Sequence, residues 1–505
     1  MGDGRLPNFD TGDDDRLVTI DSNLPERTMN VPPAVYFHYR RTSMRNPRTA
    51  RASALLATLL LACGAAGAAD DDVSRLGKDL TPSGAEKAGN KDGSIPAWTG
   101  NEAPASGWAY GKFRGDYWKH KAEKPLFSID AGNVDKYKDK LTPGQVALVK
   151  GNKGYRMDVY PSHRSCGVPD FVAENTKKNV GVAKIGADGW TLADAIVPGY
   201  PFPFPKTGTE VIYDSKMRYR GVGVEWKNNY TAVSPRKGGT DWITAGSEQT
   251  NYYPWGVKGS RHFNTLPDAE SFVYFAYNTP TALAGQGLTI KNFLNKPGTE
   301  TFYYFPGQRR VRRMPAYAYD APQIGFENQY TLDEPFVFNG PIDRFDWKLV
   351  GKKELYVPYN AFGLYKFDGD FHKIAQNEYV SNDARRYELH RVYVVEATVK
   401  NGTRHSSPKK VFYVDEDSYN LVAAEDYDGQ GKMWKVKEGY TIPVYETGTC
   451  DATAFAQYNL LEGRYVIDEH AAGTGKDMRW VVEPDGQKFK ESFYTSENLR
   501  AISER

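Results

Sequence analysis

The chain has 505 residues, a formal net charge of +2, 40% hydrophobic residues and an aromatic load of 34 Tyr, 24 Phe and 10 Trp. The near-neutral balance excludes a global electrostatic pull toward nucleic acid or anionic membranes. The hydrophobic fraction suffices for a core, and Tyr and Trp suit linings that are apolar at one end and hydrated at the other. With few and short helical stretches, the class is all-β or α+β, with β-structure dominant.

Residues 1–43 are polar, proline-dotted and without periodicity. They read as a disordered extension, or as a non-native segment upstream of a start at Met44. Arg45, Arg48 and Arg51 then precede an apolar run, 54–62, and the small residues around Ala66-Gly67-Ala68. A basic start, a short apolar stretch and a small-residue cleavage site make 44–68 a secretory signal peptide, too short to span a bilayer as a stable helix. Cys63 is either an apolar residue of that stretch or a lipoprotein attachment point. The exported chain is then a single mature domain, 69–505, in the periplasm. Its two cysteines, Cys166 and Cys450, suit a disulfide in an oxidising compartment, against two separate buried thiols.

Residues 72–125 are rich in Gly, Pro and aromatics and read as an irregular wrap, with a short helix expected at Thr81-Pro82. Thr142-Pro143 opens a helix over 144–150, and 171–179 is a third candidate. Prolines at every second position from Pro201 to Pro205 forbid a helix and suppress ladder hydrogen bonds. Phe202 and Phe204 are thereby displayed, either as a rigid cover on the core or as the apolar rim of a cavity. Strand character is expected at 210–219, 230–233, 272–277 and 302–305. The last runs into Arg309, Arg310, Arg312 and Arg313, which are either a solvated edge that resists aggregation or an anion site, since guanidinium groups bind carboxylate and phosphate bidentately.

Residues 385–436 read as four antiparallel strands, 387–398, 409–415, 420–427 and 432–436. Asn401-Gly402 supplies a hairpin signal. In the first strand Leu389, Tyr393, Val395 and Ala397 share a dry face, and Glu388, His390, Glu396 and Thr398 share a wetter one. Tyr393 and Trp434 join Phe202, Phe204 and the four arginines as candidate ligand contacts. Among the histidines, His163, His390 and His405 merit a test for chemistry. No H-x-H, H-E-x-x-H or C-x-x-C spacing supports a metal site, and no G-x-S-x-G or G-x-G-x-x-G loop is present. His390 beside Glu388 suits acid–base work or, more simply, a structural ladder of polar partners.

The segments Gly77-Lys78-Asp79-Leu80-Thr81-Pro82, Pro201 to Gly208, Pro306 to Arg313, Gly351 to Glu354, Tyr387 to Val392 and Tyr413 to Ser418 together resemble the exported proteobacterial family called domain of unknown function 1329. The resemblance spans the chain from about residue 72. It implies a fold like the LolA/LolB lipoprotein-localisation proteins: one large, curved antiparallel sheet forming a half-open barrel, with short helices plugging the concave side. It also implies association with a resistance-nodulation-division type exporter and an outer-membrane barrel protein, and it brings no catalytic residues or cofactors. The expected function is a non-enzymatic periplasmic carrier of a hydrophobic or lipid ligand, passing it between envelope machines at the outer membrane. The alternatives are a cargo-free adaptor and, behind it, a hydrolase using His390.

Overall fold

The computed structural model describes residues 72–315 and 317–504. The upstream extension, the signal peptide and Cys63 lie outside the described residues. Ala68–Arg505 forms one compact unit, organised on a 16-stranded sheet in which, among the described residues, only the pairing of Tyr387 with Val159 is parallel.

Two meanders build that sheet. The first runs Gly223–Val233, Ile243–Tyr252, Ser271–Thr279, Gly287–Asn292, Thr299–Phe305 and Arg310–Arg313. The second runs Phe345–Pro358, Tyr387–Val399, Lys409–Asp415, Leu421–Tyr427, Met433–Gly439, Phe455–Asn459 and Arg464–Asp468. The last strand of the second meander joins the first strand of the first, with Val466 opposite Val233 and Ile467 opposite Ala232. Met478–Val481 lies along the other half of that same strand, at Gly223 to Trp226. Phe127–Ile129 and Met157–Val159 extend the sheet past the start of Tyr387–Val399.

Arg310–Arg313 and Phe345–Pro358 are therefore consecutive in sequence and at opposite ends of the sheet. The chain between them, 314–344, crosses one face. That face carries Tyr393, Val395, Phe412, Asp426, Lys435 and Gln457, as the ladder registers show. Phe326, Tyr330, Phe336, Val337 and Phe338 of the crossing segment are buried in the main core. Its backbone is held at positive φ at Glu327, Asn328, Phe336 and Val337. Left-handed geometry is unfavourable for a β-branched residue such as Val337, so tertiary contacts impose it.

Helix α1, Pro143–Gly151, begins at a capping box of Thr142 and Gln145, as its sequence leads one to expect. It packs on the other face, where Gly144 meets Val436 and its N–H donates to Glu425 Oε1 at 2.7 Å. Helix α2, Asp170–Asn179, also matches its expected place. Helix α3, Gly208–Lys216, replaces the strand expected over 210–219. Thr207 and Glu210 form a reciprocal capping box there, and two satisfied N-terminal donors outweigh the β-branched content. Helices thus cover both faces rather than one, and the irregular 314–344 chain does much of the covering on its own face.

Further local expectations shift. Thr81-Pro82 makes a single turn, in which Thr81 Oγ1 accepts from Ala85 N at 3.0 Å, and no helix follows. At Asn401-Gly402 only Gly402 has positive φ, and Thr403 N donates to Lys400 O. This is type II turn geometry within a longer connection, not a two-residue hairpin. The expected wet face of Tyr387–Val399 is dry at its start: Glu388 and His390 are 0% and 1% exposed, because residues 160–166 and Tyr359 lie over them. Cys166 and Cys450 are joined as a disulfide in this same layer.

Candidate functional site

A cleft of about 700 Å³ opens between the N-terminal wrap and the Pro/Phe loop. Leu80, Gly84 and Glu86 form one wall, Pro203, Phe204 and Lys206 the other, and Lys352 and Tyr393 the floor. The walls touch at Gly84, where φ is +98° and an added Cβ would stand 1.9 Å from Pro203 O. Only glycine allows that approach. Tyr393 and Lys352 are cross-strand partners, and the Lys352 ammonium sits 4.7 Å from the Tyr393 ring centroid while pairing with Glu416. Burial opposes the charge on Lys352, but Tyr393 and Glu416 outweigh it and raise its pKa. Burial pushes the Tyr393 hydroxyl up to about 12. The floor is thus an aromatic face with a cation lodged beside it, and Tyr393 stacks in turn on Tyr419.

The expected contacts do not all converge. Phe204 and Tyr393 meet in this cleft. Phe202 lies across the loop in a second hollow of about 300 Å³ that also borders Phe204, so the Pro/Phe loop is a partition between two hollows. Arg309, Arg310, Arg312 and Arg313 are exposed on and beside the far edge strand, with the rest of the sheet between them and Tyr393. Arg313 pairs with Glu300 at 3.1 Å and Arg312 reaches Gln308. Trp434 is half-buried and donates its indole N–H to Ser407 at 3.1 Å. The candidate ligand contacts named from the sequence are therefore not gathered around one cleft: the four arginines stand apart from Phe204 and Tyr393. The pleat explains why: it fixes which face a residue takes, but the number of intervening strands fixes how far apart two residues lie.

Beneath the crossing segment lies a smaller cavity, about 60 Å³, between Phe275, Leu288 and Ile290 on one side and Tyr330 and Phe336 on the other. Asp468 and Glu469 form its polar end, and burial raises both their pKa values. The segment is anchored by charges that sequence reasoning passed over. Asp333 accepts from His405 Nε2 at 2.9 Å and faces Lys410 at 3.6 Å, while Glu334 pairs with Lys435 and lies 3.7 Å from Lys437. Asp426 bridges Lys410 and Lys437 at 2.8 and 3.1 Å. All are buried. Burial opposes ionisation, yet Lys410 holds Asp333 and Asp426 well below the carboxylate range. The sequence signal was present: Lys410, Asp426, Lys435 and Lys437 fall on what alternation marks as the covered face.

His390 lies sealed under Tyr359, with ring centroids 3.6 Å apart, and within 3.3 Å of Glu388, which Arg386 also holds at 2.6 Å. At 1% exposure it meets no substrate-sized opening. His163 instead stacks on His120 with centroids 3.7 Å apart, near Glu123, a grouping that no local spacing announces.

A family model described as "Protein of unknown function (DUF1329)" matches residues 128–500. The uncharacterized protein PA3922 of Pseudomonas aeruginosa is 38% identical over 422 residues, covering 82% of this chain and 90% of that one. Among solved structures, a putative outer membrane lipoprotein-sorting protein domain from Vibrio parahaemolyticus aligns with TM-score 0.41 and 13% identity over 58% of this chain and 98% of its own. A DUF1329 family protein from Desulfovibrio piger aligns with TM-score 0.39 and 13% identity over 58% and 97%.

Proposed function

The chain belongs to the DUF1329 family, and from that premise we propose that it is a non-enzymatic carrier that holds a hydrophobic or lipid ligand noncovalently in the cleft floored by Tyr393. The observation that carries this reading is the cleft itself. Its volume of about 700 Å³ falls in the roughly 300–1,000 Å³ range of small-molecule sites, and it joins an apolar strip of Leu80, Pro203, Phe204 and Tyr393 to charged groups at Arg75, Asp79, Glu86, Lys206 and Lys352. An acyl chain gains roughly 0.8 kcal/mol for each methylene removed from water, while Lys352 offers a contact for an anionic or polar head. The sheet face bearing Tyr393 is then the interior of a half-open barrel, and the protein works in the periplasm with an exporter of the resistance-nodulation-division type and an outer-membrane barrel partner. The sealing of His390 supports a binding role over hydrolysis.

Organic extraction of the purified protein followed by mass spectrometry should release a lipid, and Phe204→Ala with Tyr393→Ala should reduce its yield and the uptake of a fluorescent fatty acid. Protein that repeatedly carries no lipid and takes up no probe overturns the reading. The exposed arginine strand favours one competitor, a cargo-free adaptor that docks an acidic partner on that edge. It requires exporter co-purification that survives bulky substitutions at Gly84 and Phe204 and fails when Arg310 and Arg312 are replaced.

A further inference from the structure

We propose that His120, Glu123 and His163 form a binding site for a divalent transition-metal ion of the zinc or cobalt type, with Glu102 and Arg386 as outer partners. Three donor atoms converge. His163 Nε2 lies 2.7 Å from Glu123 Oε1, and His120 Nδ1 lies 3.6 Å from that same oxygen. One donor from each of the three residues fits within a sphere in which all lie less than 4.8 Å apart. Ligand atoms around a tetrahedral zinc with bonds of 2.0–2.1 Å stand about 3.3 Å from one another, so the two separations change by a few tenths of an ångström in opposite directions. Two imidazoles and one carboxylate, with a fourth position left for water, is a donor set suited to this class of metal.

The surroundings match what such ligands require. A metal-binding imidazole uses its second nitrogen to donate to a carboxylate or carbonyl, which fixes the ring and raises its basicity. His120 Nε2 meets Glu102 Oε1 at 2.8 Å. The second oxygen of Glu123 is held by Arg386 Nη2 at 2.7 Å, which leaves the first aimed at the histidines. Glu388 fixes both Arg386 and the backbone N–H of His163, and the Trp118 ring packs edge-on to both imidazoles. The two rings now stack with planes 16° apart. An ion bonded to both requires them to splay until each plane contains it, and at 33% and 20% side-chain exposure they have room to turn and an ion has access. The other convergent group, His390 with Asp415 and Asp417, is fully buried, and its Asp417 is committed to Arg164. A metal at His120 would clamp the N-terminal wrap to residues 160–166 and the start of the Tyr387–Val399 strand.

The test titrates chelator-stripped mature protein with Zn²⁺ by calorimetry and with Co²⁺ by visible absorption. The expected result is one saturable ion per chain, a tetrahedral Co²⁺ spectrum, and at least tenfold weaker binding in His120→Ala and His163→Ala, with His262→Ala unchanged. A second measurement uses wild-type protein alone: Zn²⁺ should protect His120 and His163, and not His262 or His372, from diethylpyrocarbonate as mapped by mass spectrometry. Failure of one-per-chain binding, binding indifferent to both substitutions in folded variants, or equal modification with and without Zn²⁺ overturns the proposal.

Discussion

Glu334→Gln isolates the charge that ties the crossing segment to the sheet. Gln can still accept from Thr331 N and face Gln457 Nε2, the present partners of Glu334 Oε2 at 2.9 and 2.8 Å, so the lost interaction is the charge pairing with Lys435 and Lys437. Lys435 is 1% exposed, and breaking a buried pair from one side strands its partner at a cost of about 3–5 kcal/mol. Removing both charges, as in Glu334→Gln with Lys435→Met, leaves no stranded ammonium, and the cost should fall to about 1 kcal/mol, because a buried pair gains little over an apolar pair of similar volume. Urea unfolding followed by Trp fluorescence measures both variants, and hydrogen exchange over 326–339 shows whether the segment opens before the sheet does. A single-variant loss under about 1 kcal/mol, or a double variant worse than the single, refutes the view that this pairing holds the segment down.

Four more outcomes are expected. Asp333, Glu334 and Asp426 have depressed folded pKa values, so the stability they contribute is complete above the ordinary carboxylate range and drains away as pH falls through their folded values; denaturant midpoints below about pH 4 should drop less in Asp426→Asn than in the parent. Asp415 has the opposite sign: burial first, then Asp417, raises it to about 6, so its contribution is present at low pH and lost as pH rises through about 6, and Asp415→Asn should flatten that part of the stability profile. Gly84→Ala meets Pro203 O and an unfavourable φ together, and should cost about 1–3 kcal/mol while altering probe uptake in the cleft. Cys166→Ser with Cys450→Ser should cost about 2–5 kcal/mol in thermal or denaturant unfolding of the oxidised protein.

Much of the β-architecture was legible because alternation is local. The strands at 387–399, 409–415, 421–427 and 433–439 stand where residue pattern places them, as do α1 behind its Thr142-Pro143 start and α2. Helix α3 was misread because β-branched and aromatic content hid the Thr207–Glu210 capping box. What alternation cannot supply is distance across a sheet. Tyr393 and Arg310 are both candidate ligand contacts by residue type, yet their strands are separated by most of the sheet. Nor can it say what covers a face. His390 reads as polar and available until residues 160–166 and Tyr359 close over it. The same blindness hid His120, Glu123 and His163, which the wrap brings together without any spacing rule, and Lys435 with Lys437, whose carboxylate partner arrives from a segment with no regular structure.

The Gly223–Val233 strand sets the order in which this molecule can be completed. One of its sides finds Ile243–Tyr252 within a short stretch of chain, but the other waits for Arg464–Asp468 and Met478–Val481. While the chain folds, the first meander therefore stands with that edge bare, a template for unwanted pairing, until contacts of very large sequence separation, which are slow to form, close it. A truncated chain ending before residue 464 should accordingly be prone to aggregate, although it already contains nearly all of the first meander's own contacts.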